Sequence, residues 1–371
     1  MLLGAAVLAL LLGAAAGVSA APLPADIKIG VVESLTGDNA AYGLSIRSAL
    51  QLAVDEVNSS GYLGGSRIDL VILDDKADKQ EGISDFTRLI NDDQVSAIIG
   101  PTLSSTAFAA DPIAQKAGVP VLGTSNTATG ITDIGTFVFR DSLPQAGVIP
   151  GEIAAVKAKF HPRTAGQLFE STNEFSKSEA DVFKAILQQQ GIQLVDSESY
   201  AHGDTDFRTQ LGKLAARHPD IIVLSSLVGE AIPILQQAQE IGITAPLVGG
   251  NGFNSPNVIA NAKSAAEGLI VGSAWFIDST APRSKQFVTA YRARYGHDPD
   301  QFGAQAYDGL YLVARAIKDA GSADRSAIRD AMARIRNQDG ALGSFSFDDH
   351  RDPVHPSVTL TVRDGHFALF P

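Results

Sequence analysis

Two short stretches hold most of the side chains with chemistry to offer. Ile98-Ile99-Gly100-Pro101-Thr102-Leu103-Ser104-Ser105-Thr106 runs from an apolar segment into a cluster of hydroxyls. A little further on, Val119-Pro120-Val121-Leu122 leads into Gly123-Thr124-Ser125-Asn126-Thr127-Ala128-Thr129. Neither stretch contains Lys or Arg. Hydroxyls together with backbone N–H groups at a helix start form a neutral cradle for an anion, and a small carboxylate needs little more. Each stretch alone is also what helix capping by Ser and Thr would produce. The two together, at neighbouring strand ends, favour a bound ligand.

Other chemistries find less support. The chain has no cysteine, which removes disulfides, thiolate zinc sites, iron–sulfur clusters and cysteine nucleophiles. No Walker loop, HExxH, GxSxG or GxGxxG pattern falls where it would be needed. His350 and His355, near Asp348 and Asp349, read as a solvated turn rather than a metal cluster. Asp74, Asp75 and Asp78 follow a strand end without calcium-loop spacing, so capping and solvation is expected. No enzyme, cofactor or metal is expected. The net charge of −12 argues against nucleic acid and anionic membrane surfaces as partners.

The hydroxyl stretches need elements to hold them. From Ile27 onward, short apolar runs alternate with helical patterns. Ile27–Val32, Arg67–Leu73, Val95–Ile99, Val119–Leu122, Phe137–Phe139, Ala165–Phe169, Ile192–Val195, Ile221–Leu224 and Leu247–Val248 read as strands. Ile46, Ala49, Leu50, Ala53, Val54 and Val57 mark one helix face. Alternation of this kind specifies parallel sheets covered on both faces, and 371 residues give more units than one sheet takes. The expected fold class is α/β, with two doubly wound parallel-sheet lobes. Ahead of them, Leu2–Val18 is wholly apolar and ends in Val18-Ser19-Ala20, which reads as a signal peptide over 1–20 cleaved after Ala20. Export of a soluble mature chain is expected.

The order Ile29–Gly37, Ala41-Tyr42-Gly43, Asn58–Gly65, Asp74-Asp75, Gly100–Thr106, Ser125-Asn126-Thr127, Gly249–Pro256, Ala266-Glu267-Gly268 and Ala306–Gly309 resembles the periplasmic leucine/isoleucine/valine-binding proteins, the substrate-binding components of ABC importers. The resemblance implies a type I periplasmic-binding fold with three crossovers at the hinge. Its lobes would span 26–141 plus 275–345 and 142–274 plus 346–371. Ser104 and Thr127 would then bind the ligand carboxylate and amine, and Ser125 would offer a backbone contact. Tyr42 and Phe175 would close over the ligand, while Thr102 and Phe302 line its side-chain pocket. Leu227 replaces an aromatic. Trp275 is expected near the second crossover.

One position departs from that family. Asn251, in Gly249-Gly250-Asn251-Gly252-Phe253, stands where the amino-acid binders place a carboxylate for the ligand ammonium. A buried ammonium without a counter-ion is costly. Another acid, such as Glu33 or Glu230, must supply the charge, or the ligand is an aromatic or aliphatic acid or amide. A plain tight turn with Asn in a left-handed conformation is the alternative. The expected protein is a monomeric receptor that captures a branched-chain or other hydrophobic amino acid, or a related small carboxylate, and docks on a permease with its ATPase. A sensor of the same fold is the competing reading.

Overall fold

The computed structural model describes residues 23–371; the segment 1–20, expected to be a signal peptide, lies outside the described residues. Five parallel strands make the first sheet, in the order Arg67–Asp74, Asp26–Glu33, Ala97–Ile99, Val121–Gly123, Val138–Arg140. The second sheet repeats that winding with Gln193–Tyr200, Thr164–Glu170, Ile221–Ser225, Leu247–Gly249 and Ile270–Ser273. In both, the first strand of the unit lies between the second and third. Loops leaving the carboxyl ends on either side of such a reversal open a crevice where α/β proteins bind ligands.

The lobes are not purely parallel. Val358–Arg363 pairs antiparallel with Ile270–Ser273, and His366–Leu369 pairs antiparallel with Val358–Arg363. Gln338–Gly340, Gly343–Phe347 and Pro353–Val354 form a separate small antiparallel sheet. Apart from Gln338–Gly340, which comes after helix Arg325–Met332, these segments follow short connections, so no helical crossover constrains their direction.

The chain passes between the two sheets three times. It leaves the first after Val138–Arg140 and returns after Ile270–Ser273, when helix Gln301–Ala320 packs on helix Ala40–Ser59. It then goes back through the small sheet to Val358–Arg363. The apolar stripe of helix Ala40–Ser59 buries Ile46, Leu50, Ala53, Val54 and Val57, the spacing that makes one helical face. Asp78 caps helix Lys79–Asn91 by accepting from the N–H groups of Gln80 and Glu81. Its neighbour Asp75 is not solvated as expected. It is fully buried, accepting from Ser34 Oγ at 2.7 Å and Ala77 N at 2.9 Å. Among the described residues no helix is long and apolar enough to cross a membrane.

Candidate functional site

Strand ends set the positions of the hydroxyls. Gly100 follows Ala97–Ile99 with a φ of 112°, and a Cβ there would overlap the Val32 carbonyl, so only glycine lets the two strand ends approach this closely. Beyond it the chain turns directly into helix Ser104–Ala117, so Ser104, Ser105 and Thr106 are its first turn and not a loop. Ser104 Oγ lies 3.4 Å from the Ala128 N–H. Ser125 Oγ donates to the Thr102 carbonyl at 2.6 Å. Thr102 is less available: its hydroxyl accepts from Ser34 N at 2.9 Å and donates to buried Glu33.

The second turn is fastened from below by a residue that sequence reasoning passed over. Buried Arg140 donates to the carbonyls of Asn126, at 3.2 Å, and Ala128, at 2.7 Å, and pairs with Asp352 at 2.6 Å. The guanidinium thereby fixes the backbone of the turn that carries Ser125 and Thr127. Burial of such a pair stabilises only when its hydrogen bonds are complete, as these are.

Eight of the nine expected site residues line one cavity of about 20 Å³ between the sheets: Tyr42, Thr102, Ser104, Ser125, Phe175, Leu227, Asn251 and Phe302. Tyr42 and Phe302 face each other with ring centroids 4.6 Å apart. Phe175 opens helix Glu174–Gln189, whose cap Asn173 accepts from Phe175 N at 2.9 Å. Thr127 lines an adjoining cavity of about 10 Å³, and Asn251 lines both. Spaces of this size hold about one water. The cleft is narrow because contacts span it. Tyr42 Oη donates to the Gly252 carbonyl at 2.6 Å, Thr129 N to Ser178 Oγ at 2.9 Å, and Lys79 pairs with Glu174 at 2.7 Å.

Asn251 heads a 3₁₀ turn, Asn251–Phe253, and is not left-handed. Its side-chain oxygen Oδ1 accepts from Gln301 Nε2 at 2.7 Å, and a neutral amide brings no counter-charge to a ligand ammonium. Neither acid expected to compensate lines the two cavities. Glu33 is buried behind Thr102, where burial raises its carboxyl well above the usual range. Glu230 lies 3.3 Å from His202 Nδ1, outside both cavities. The acids that reach the smaller cavity are Glu152 and Glu179, from helices Gln145–Phe160 and Glu174–Gln189. Glu179 accepts from Asn251 N at 2.9 Å, and burial pushes its carboxyl up to about 8. Neither cavity is lined by Lys, Arg or His.

Other candidates lie elsewhere. Asp348–Arg351 is a turn, with Arg351 N donating to the Asp348 carbonyl at 3.1 Å. Trp275 follows strand Ile270–Ser273, donating its indole N–H to Ser284 Oγ at 2.9 Å. Glu170, His202 and Glu230 bring ligand atoms within 4.8 Å of one another at the cleft mouth, the one group among the described residues placed to share a metal ion. Their separation in sequence hid them.

The chain matches the model of the periplasmic binding protein family over residues 26–366. It is 28% identical to a Leu/Ile/Val-binding protein of Rhizobium johnstonii, covering 93% of this chain and 94% of that one. It is 26% identical to a leucine-, isoleucine-, valine-, threonine- and alanine-binding protein of Pseudomonas aeruginosa, covering 95% and 94%. Among solved structures, a branched-chain amino acid transporter substrate-binding protein of Streptococcus pneumoniae, in complex with isoleucine, superposes with a TM-score of 0.87 at 32% identity, covering 92% and 97%. The hydroxyl-lined cleft between two like-wound sheets thus sits in a chain that belongs to the periplasmic binding protein family.

Proposed function

We propose that this protein is the periplasmic substrate-binding component of an ABC importer. It captures a branched-chain or other hydrophobic amino acid, or a related small carboxylate, by closure of its lobes. The observation that carries this reading is the single cleft lined by Ser104 and Ser125 on one side and by Phe175 and Leu227 on the other. Neutral donors suit a carboxylate and the apolar wall suits a hydrocarbon side chain. The relatives named for leucine, isoleucine and valine support it, as does the isoleucine complex of the Streptococcus pneumoniae protein. Those relatives bind amino acids or serve transporters, so import is preferred over sensing.

Closure and release would follow from the hinge. Lobes spanning 26–141 with 275–345, and 142–274 with 346–371, would swing apart to admit the ligand and close on it. Closure is driven only as far as the ligand binds the closed form better. The closed, liganded monomer would then dock on the permease and its ATPase. Native mass spectrometry of the protein as purified, followed by a thermal-shift screen of amino acids against aromatic and aliphatic acids, tests this. A tight response to hydrophobic amino acids or small acids is expected; no response from any of them overturns the reading.

A further inference from the structure

The smaller cavity is built unlike the larger one. Its walls include Thr127 from the first sheet's side and Glu152, Glu179 and Gly250 from the second's. Thr127 is 3% exposed, Glu152 and Glu179 each 1%, so all three are sealed from solvent. Among the described residues Thr127 Oγ1 has no hydrogen-bond partner within bonding geometry, nor has either carboxyl oxygen of Glu152, which lies beside the Gly272 backbone. Glu179 has a donor on one oxygen only. Buried polar atoms are nearly always paired, and unpaired ones on three side chains lining a single space point to a group that belongs there. Once either acid ionises, that group must donate hydrogen bonds, because a carboxylate only accepts them.

The surroundings narrow its charge. The nearby polar side chain Gln145 is already committed, accepting from Ser178 Oγ at 2.9 Å and donating to the Phe175 carbonyl at 3.3 Å. Gly250 is shaped to the site, since a Cβ there would overlap the Glu179 carboxyl. We infer that Glu179 and Glu152, with Thr127, form the subsite for the ligand's ammonium group, doing from two helices what Asn251 cannot do from its turn. The ligand class is then a zwitterionic amino acid and not a simple acid. A cavity of about 10 Å³ fits an ammonium-sized group and no side chain. The two cavities adjoin at Asn251, so the carboxylate and ammonium of one α-amino acid, which share a single carbon, can reach the hydroxyls and the acids together.

This inference rests on the cleft being the site for a small hydrophobic carboxylate. Burial raises both carboxyls: Glu179 up to about 8, and Glu152 well above the usual range, with Glu179 nearby adding to the effect. An arriving ammonium must displace a proton from the pair.

The test is calorimetry on the full chain with L-leucine and with isocaproate, which is leucine without its amino group. The native protein should bind leucine more tightly. Glu179→Gln should weaken leucine binding about 10- to 100-fold, the worth of a charge-assisted bond, and Glu152→Gln should weaken it in the same selective way. Both should leave isocaproate within about threefold. Near pH 7, leucine should release about one proton, seen as heat that varies with the buffer's ionisation enthalpy, and isocaproate none. Should Glu179→Gln fail to fold, this proton release decides alone. Equal losses with both probes, no proton release, or native binding of isocaproate without leucine would overturn the subsite and leave the cleft reading standing. Failure of the native protein to bind either probe or any other hydrophobic acid would remove that reading, and the subsite with it.

Discussion

The two rims of the cleft solve opposite problems. The first sheet's rim offers Ser104, Ser125 and Thr127, and contributes no charged side chain to the lining of either cavity. The second sheet's rim offers Phe175 and Leu227 for hydrocarbon, and sets Glu152 and Glu179 behind them. Both rims grow from equivalent places, the loops and helices that follow the strands of like-wound sheets. Equal topology therefore does not give equal chemistry. A hydroxyl costs little to bury where a nearby carbonyl accepts its proton, as Thr102 does for Ser125. A carboxyl rim is costly to bury and must hold a proton or a cation.

The sharpest way to break this contrast is to strip the hydroxyl rim. Ser104→Ala combined with Thr127→Ala removes two hydrogen bonds to a charged group, about 3 kcal/mol or more, so affinity should fall over a hundredfold with the fold intact. Unchanged affinity by calorimetry would mean the rim does not touch the ligand.

The carboxyl rim makes its own prediction in the ligand-free protein. The unfolded chain releases the Glu179 proton near 4.5, whereas the folded protein keeps it to about 8. The native state therefore binds the extra proton across that window, and stability falls as pH rises through it, by about 1.4 kcal/mol per pH unit per proton. Glu179→Gln should flatten the thermal-unfolding profile by one proton's slope. An unaltered slope would show that Glu179 is ionised as an ordinary surface carboxylate is.

Smaller effects come from the contacts that bridge the rims. Tyr42→Phe loses the bond to the Gly252 carbonyl and should weaken binding about two- to tenfold, with a larger radius of gyration by X-ray scattering without ligand. An unchanged radius would mean that bond does not hold the lobes together. Lys79→Ala removes a half-exposed ion pair with Glu174, and should change affinity less than about threefold. A greater change would give the mouth of the cleft a role in closure that screened charges cannot supply.

The fold was largely legible because buried parallel strands leave continuous apolar runs such as Ile221–Ser225, and the helices between them keep their apolar spacing. The hydroxyl rim was legible for a related reason: Gly, Ser and Thr clusters at strand ends have few structural uses besides capping and binding. The antiparallel edge strands were not, since Val358–Arg363 and His366–Leu369 carry a turn signal but nothing that fixes direction. Glu179 was hidden by its neighbours, because Lys177-Ser178-Glu179 looks like a solvated face. Glu152 did leave a trace. It shares a helical face with Ile149, Ile153 and Val156, all buried, and a carboxylate on an apolar stripe marks a place where burial has a purpose.

A crystal structure of the protein with isoleucine bound tests the central claim most directly. The ligand should lie between the two sheets, its carboxylate about 3 Å from Ser104 and Thr127 and its hydrocarbon chain against Phe175 and Leu227. Isoleucine seated instead in the groove lined by Trp275, Phe276 and Phe367, with Ser104 and Thr127 untouched, would contradict it.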